Sequence, residues 1–401
     1  MRTYVEFLRV RHAARLLGGT LLGRLPNGMA LLAIVLHVRA HGGGYPLAGA
    51  LGAVNGLATA AGQPVLGRAM DRFGQPRVLL PSALAAAAGF ALLAWTGVRP
   101  LPVAVAAVVL AGFATPPLEA GLRALWPDVL DGPDQVQAAY ALDAAAQELL
   151  FTLGPLIVVG AAAVSTEAAL LLTGALGIAG TLVVVCAGPS RRWRGAPRAA
   201  DWLGPLRAPG LRVLLLSLGF AGVALGVYAI AVAAYAERSG VPAHSGLLLA
   251  AMSAGALAGG LVYGARPRTG APHRRLPVLL AALAACYLPL VWAPGPPLMA
   301  VLAFASGIWL APVLACTFSL VDRLAPAGTV TEAFAWVVAT ICAGGSLGSF
   351  VAGLGESLAG VPGAFAGAGA GGLLALAVCL LGGRALRPVP EDAPAPAAAR
   401  A

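Results

Sequence analysis

Gly67-Arg68-Ala69-Met70-Asp71-Arg72-Phe73-Gly74-Gln75-Pro76-Arg77 is a short charged turn with a glycine towards each end, set between two long apolar runs. The run before it covers about residues 45 to 67 and the run after it about 78 to 97. Each is close to the ~20 residues that a helix needs to cross ~30 Å of hydrocarbon. Continuing outward in both directions marks twelve such runs, at about 16 to 38, 45 to 67, 78 to 97, 101 to 121, 139 to 161, 167 to 187, 212 to 234, 243 to 263, 277 to 294, 297 to 320, 332 to 354 and 361 to 382. The pattern is that of an all-α membrane protein with twelve transmembrane helices.

Composition agrees, because 59% of the 401 residues are hydrophobic and only 10% are charged. A soluble chain of this length must cover itself with polar side chains, whereas a lipid-facing chain must not. The formal charge of +10 does not point to nucleic acid, since the arginines cluster between apolar runs instead of lining one polar face. All 26 basic residues are arginine, so the lysine of a phosphate-cradling loop is missing and the chain carries no P-loop ATPase of its own. Any pumping draws on a gradient or a partner. Cys186, Cys286, Cys316, Cys342 and Cys379 fall inside apolar runs without paired spacing and read as small buried hydrophobes. The five histidines, His12, His37, His41, His244 and His273, fall in loops or near helix ends with no metal-ligand spacing, so neither a metal nor a cofactor is expected.

Arginine placement sets the expected orientation, since cytoplasmic loops accumulate basic residues. With the N-terminus inside, 22 of the 26 arginines lie on the inner side, Arg39, Arg99 and Arg238 lie outside, and Arg24 falls within the first helix. Both termini are then cytoplasmic, in an inner membrane. The first apolar run is retained as a helix, because no small-residue cleavage site follows it. The longest interruption, Gly188 to Pro209, divides the runs six and six. The expected organisation is a six-helix bundle over 1–188, an inter-bundle loop over 189–209, a second bundle over 210–387 and a disordered Pro/Ala tail over 388–401. The halves echo each other: Ala61-Gly62-Gln63-Pro64-Val65-Leu66-Gly67-Arg68 lines up with Ala258-Gly259-Gly260-Leu261-Val262-Tyr263-Gly264-Ala265, as two pseudo-symmetric bundles require.

In the turn after the second run, Gly67, Asp71, Arg72, Gly74 and Arg77 fill every slot of the pattern G-x-x-x-D-R-x-G-x-x-[RK]. Here the chain resembles the major facilitator superfamily. The resemblance implies a secondary transporter with a substrate site between the halves, and it implies that this segment holds one gating state together, a role carried to Asp71, Arg72 and Arg77. Physically, Gly67 permits close packing at a helix end, Gly74 permits a positive φ, and Asp71 can pair with arginines across the half-half interface. The plainer reading of these charges is a stop signal for insertion. The corresponding turn in the second half, Gly264-Ala265-Arg266-Pro267-Arg268, lacks the aspartate. Gly154-Pro155 in the fifth run looks like the pair that the family's exporters carry there, although the preceding glycines are missing; a kink or a close helix crossing explains it equally.

Ionisable residues deep in a membrane are costly and usually face a bundle interior or a water-filled cavity. Counting ~1.5 Å per residue from the inner surface puts Arg24 and Glu148 both about 15 Å deep. The expectation is that they pair, with protonation of Glu148 freeing Arg24 for cargo; a static pair that fixes helix packing is the structural alternative. Asn27, Asp143 and Gln147 could line the same cavity. Asp143, Glu119 and Glu332 lie nearer the inner surface, as gate or interface charges, and Thr115-Pro116-Pro117 is a break that could expose carbonyls at the end of helix four. Thr331 is a plausible N-cap for the eleventh helix. The leading expectation is proton-coupled efflux of a drug-like or metabolite molecule by a monomer; uptake or facilitated diffusion of a polar nutrient, and a scaffold or sensor that moves nothing, are the alternatives. No hydrolytic or redox constellation suggests an enzyme.

Overall fold

The computed structural model describes residues 10–197, 203–241, 243–265 and 270–387. The expected tail from Pro388 and the arginines Arg2, Arg9, Arg198, Arg266, Arg268 and Arg400 lie outside the described residues. Within them the chain is helical. The first half contains α1 (Ala13–Ala40), α2 (Tyr45–Phe73), α3 (Gln75–Thr96), α4a (Leu101–Phe113), α4b (Leu118–Val129), α5 (Pro133–Ala162) and α6 (Thr166–Val185). The second half contains α7 (Pro209–Arg238), α8 (Ala243–Gly264), α9 (Pro272–Tyr287), α10a (Pro296–Ile308) and α10b (Leu310–Leu324). The run Val330–Leu381 is non-helical at Ala359 and Gly360, which divide it into α11 over 330–358 and α12 over 361–381.

Ten of these helical stretches are long and apolar enough to cross a membrane, the last of them being the kinked run that holds two spans. The twelfth span is α2, whose 29 residues reach about 44 Å at the α-helical rise. Asn55, Gln63 and its charged end make it less apolar. Proline at the first turn of α2, α3, α4a, α5, α7, α9 and α10a suits positions whose backbone N–H has no helical partner. Several spans run past the lengths expected from hydropathy. The helix does not stop at the last apolar residue, and its ends can continue where side chains are hydrated. The charged segment therefore is not a turn from Gly67 onward: α2 continues through Phe73, and the chain reverses at Gly74, which has φ 84°.

Two pseudo-symmetric halves follow from the packing. In the first, α1 packs on α6 and α5, α2 on α4a, and α3 on α4a and α6. In the second, α7 packs on the α11–α12 run, α8 on α10a, and α9 on both α10 and that run. The halves meet through α2 against α11 and α5 against α8, the same relation taken twice. The sequence echo has a physical basis. A Cβ on Gly62 would lie 2.1 Å from the Phe113 carbonyl oxygen, and one on Gly259 would lie 1.8 Å from that of Ile308, at the ends of α4a and α10a. Only glycine lets these backbones approach so closely.

The cysteines do not share one environment. Cys316 and Cys379 are buried as expected, whereas Cys186 and Cys342 are exposed, since an apolar run also has a face turned away from the protein core.

Candidate functional site

Where α1, α4b and α5 converge, four charged side chains form one buried cluster. Arg24 on α1 donates from Nη1 to Asp143 Oδ1 at 2.7 Å, and from Nη2 to Glu119 Oε2 at 2.5 Å and Gln147 Oε1 at 2.7 Å. Arg123 donates from Nε to Asp143 Oδ2 at 2.8 Å and from Nη2 to Glu119 Oε2 at 3.1 Å. Two guanidiniums thus balance two carboxylates. Asp143 is fully enclosed and Arg24 and Arg123 nearly so, and charges so desolvated persist only when paired and hydrogen-bonded. The break at Thr115–Pro117 makes room for the cluster by ending α4a and letting α4b restart at Leu118. The carbonyl it exposes on Thr115 accepts a hydrogen bond from Gln63 Nε2 at 3.1 Å.

The expected Arg24–Glu148 pair is not formed. Asp143 and Gln147 are four residues apart and share the α5 face towards α1, whereas Glu148 sits about 100° further round the helix. It faces α8, where Ser253 Oγ donates to Glu148 Oε2 at 2.7 Å. Arg123 is the second correction: counted as a loop arginine, it is 1% exposed and central to the cluster. The sequence signal available for it was its position four residues after Glu119, one helical turn, beyond a Pro-Pro break. Asn27 is exposed and outside the cluster.

The cluster abuts the half-half interface. The Arg123 guanidinium lies 3.7 Å from the ring centroid of Phe318 on α10b, and Tyr140, Phe318 and Phe334 form a triangle of ring centroids 5.9 to 6.2 Å apart. Nearer the arginine-rich face, Asp71 accepts backbone N–H bonds from Thr331 at 3.0 Å and Glu332 at 2.9 Å. Its partners are therefore the first amides of α11 and not the expected arginines. A helix N-terminus offers unpaired donors and positive potential to a carboxylate. The same contact corrects Thr331, whose N–H is capped by Asp71, while Thr329 occupies the N-cap position. Arg68 crosses to Glu332, with Nη2 to Oε1 at 2.6 Å, and a Cβ on Gly67 would meet that of Ala335 at 2.9 Å. Arg72 and Arg77 are exposed, Arg72 lying over its neighbour Phe73.

The profile of the Major Facilitator Superfamily matches residues 16–297. The chain belongs to that superfamily. No curated protein matches it in sequence. Among solved structures, it is similar to the human organic anion transporter MFSD10 (TETRAN), with TM-score 0.69 and 19% identity over 91% of this chain and 99% of that one. A bacterial homologue of the iron transporter ferroportin, in an outward-facing state, gives TM-score 0.70 and 15% identity over 94% and 98% of the two chains. The E. coli fucose:proton symporter FucP gives TM-score 0.70 and 13% identity over 92% and 98%. In this superfamily member Gly154 serves a close crossing of α5 with α1, since its Cβ would lie 2.7 Å from the Gly28 carbonyl carbon. Pro155 follows within the same helix.

Proposed function

We propose that the chain is a secondary transporter that moves a small molecule by alternating access, exporting an amphipathic, cationic drug-like or metabolite molecule in exchange for protons. The observation that carries this reading is Glu148, half-buried near mid-depth, facing the other half, and bonded to Ser253 with no cation paired to it among the described residues. A carboxylate so placed is neutral with a proton or satisfied by a cationic cargo, and the two compete for one site. Arg24, by contrast, has both Nη atoms engaged by Glu119, Asp143 and Gln147, and although its buried Nε makes no hydrogen bond among the described residues, the two carboxylates already balance the local positive charge, which leaves it poorly suited to an anionic cargo. Proton coupling occurs on this fold in the fucose:proton symporter, and Gly154-Pro155 favours the export direction.

The bonds through Arg68, Asp71 and Glu148 run from the arginine-rich face to mid-depth, and they support a state closed on that face. That face is assigned to the cytoplasm of an inner membrane by its arginines. In this reading the protein works as a monomer, with the boundary between its halves in 189–209.

The test is flux in proteoliposomes under an imposed pH gradient, with a panel of amphipathic cations and neutral and anionic metabolites. Gradient-driven movement of at least one cation is expected, falling at least tenfold in Glu148→Gln, in line with loss of a general acid-base group. Full coupling in that variant, or movement of anions alone, overturns the proposal.

A further inference from the structure

At the face opposite the arginine-rich loops, the end of α1 meets the start of α6. His37 lies in the last turns of α1, His41 is the C-cap residue, and Glu167 stands in the first turn of α6. One candidate ligand atom from each lies within 4.8 Å of the others. The i,i+4 spacing of His37 and His41 puts both on one helix face, as in helical metal-binding pairs, and the third member comes from a helix distant in sequence.

The tautomers of both rings are set by carbonyls. His37 Nε2 is 3.1 Å from Leu93 O and His41 Nδ1 is 2.9 Å from His37 O. A carbonyl can only accept, so these two nitrogens carry the ring hydrogens. The remaining nitrogens present lone pairs to Glu167 Oε1, His37 Nδ1 at 3.6 Å and His41 Nε2 at 3.4 Å. Thr166 Oγ1 lies 3.2 Å from His37 Nδ1 and 3.3 Å from Glu167 Oε1, but it has a single hydrogen to give. With neutral rings, the gap is rich in electron pairs and short of positive charge.

A metal ion fits that gap by size and by chemistry. Two ligand atoms held at ~2.0 to 2.1 Å from a tetrahedral zinc ion are about 3.3 to 3.4 Å apart, close to the two nitrogen–oxygen separations seen here, while the two nitrogens lie within 4.8 Å of each other. A ring whose second nitrogen donates to a carbonyl is the arrangement that orients metal-binding histidine and raises its basicity. Two imidazoles and one carboxylate suit a divalent ion of the zinc class better than calcium or magnesium. His41 and Glu167 have side chains 37% and 39% exposed, which gives the ion a route from water, while His37 is enclosed.

We propose that His37, His41 and Glu167 bind one divalent transition-metal ion of the zinc class, with the remaining coordination position left to water. The ion joins α1 to α6 and, through the carbonyl of Leu93, holds the end of α3 against them. It acts as a clamp on the outer edge of the first half, away from the Arg24 cluster. A proton shared on one ring would answer the same shortage of charge, and the experiment separates the two.

Tag-free full-length protein, stripped with a chelator, is titrated with Zn2+ by calorimetry near neutral pH and with Co2+ by visible absorption. The expected result is one ion per chain, with cobalt bands of a four- or five-coordinate nitrogen and oxygen site. Affinity falls at least tenfold in His41→Ala and in Glu167→Gln. Zn2+ raises the melting midpoint of the parent and leaves that of the variants unchanged. Absence of saturable Zn2+ uptake, or equal uptake by both variants, overturns the proposal, and protonation alone predicts that outcome. If a variant does not fold, the parent's cobalt spectrum decides, and bands of the free aquo ion overturn the site.

Discussion

The helices α4b and α10b hold matching places in the two halves and differ in chemistry. In the register that pairs Gly112 with Gly307, packed against the backbones of α2 and α8 respectively, Glu119 corresponds to Leu314 and Arg123 to Phe318. The first half thus carries charge where the second carries apolar surface. The matching residues Arg123 and Phe318 also touch each other across the interface. The same division recurs nearby: the first half contributes the carboxylates of Asp71 and Glu148, and the second answers with backbone amides and a serine hydroxyl. Repeating one scaffold twice fixes where helices meet, while the side chains are free to diverge into a charged partner and a neutral one. Two contacts depart from that division: Arg68–Glu332 has charge on both sides, and Arg275 of the second half donates from Nη1 to Gln137 Oε1 of the first at 3.2 Å.

Five substitutions, at four places, test that division. The largest effect is expected at the cluster itself, where Arg24→Leu or Asp143→Leu leaves a desolvated charge short of a partner and destabilises the protein by about 3 to 5 kcal/mol. The double variant keeps Glu119 with Arg123 and should cost less than either single change, so a thermodynamic cycle built on melting reads the coupling directly. Equal, additive losses would mean that the charges act independently. Next comes Asp71→Asn, which removes charge from the cap of α11 at about 1.5 to 3 kcal/mol. Hydrogen exchange at the amides of Thr331 and Glu332 should then quicken roughly tenfold or more, at 1.4 kcal/mol per tenfold. Phe318→Leu keeps the apolar surface but removes the ring under Arg123, for an expected loss of about 0.5 to 2 kcal/mol in melting experiments. Arg68→Ala is the smallest, at about 1 kcal/mol, because the Arg68 side chain is 43% exposed and water reaches the ion pair, which offsets the loss of this partner by Glu332, itself 1% exposed. A larger effect there than at Asp71 would reverse the ranking of the two contacts.

Much of this arrangement could be read from residues alone. Twelve oil-length runs, the glycine echo between halves and the Thr115-Pro116-Pro117 break all follow from composition and helix rise. Position along a helix axis is a one-dimensional quantity, so counting residues gives it. The direction a side chain faces is angular, and a single residue's difference sends Asp143 and Glu148 to different neighbours. Arg123 was obscured because an arginine just past an apolar run looks the same whether it snorkels to water or folds back into the bundle. The partners of Asp71 are not legible in the sequence, because backbone amides at a helix start carry no signature in a list of side chains. His37, His41 and Glu167 meet only after two distant helices are packed.

Asp71 has one further consequence. Because its carboxylate closes the start of a helix that belongs to the other half, separating the halves strands an acceptor on one side and two donors on the other. Those groups must then be wetted at once. Hydration of the seam is therefore a condition of its parting, and solutes that lower water activity should hold the seam shut.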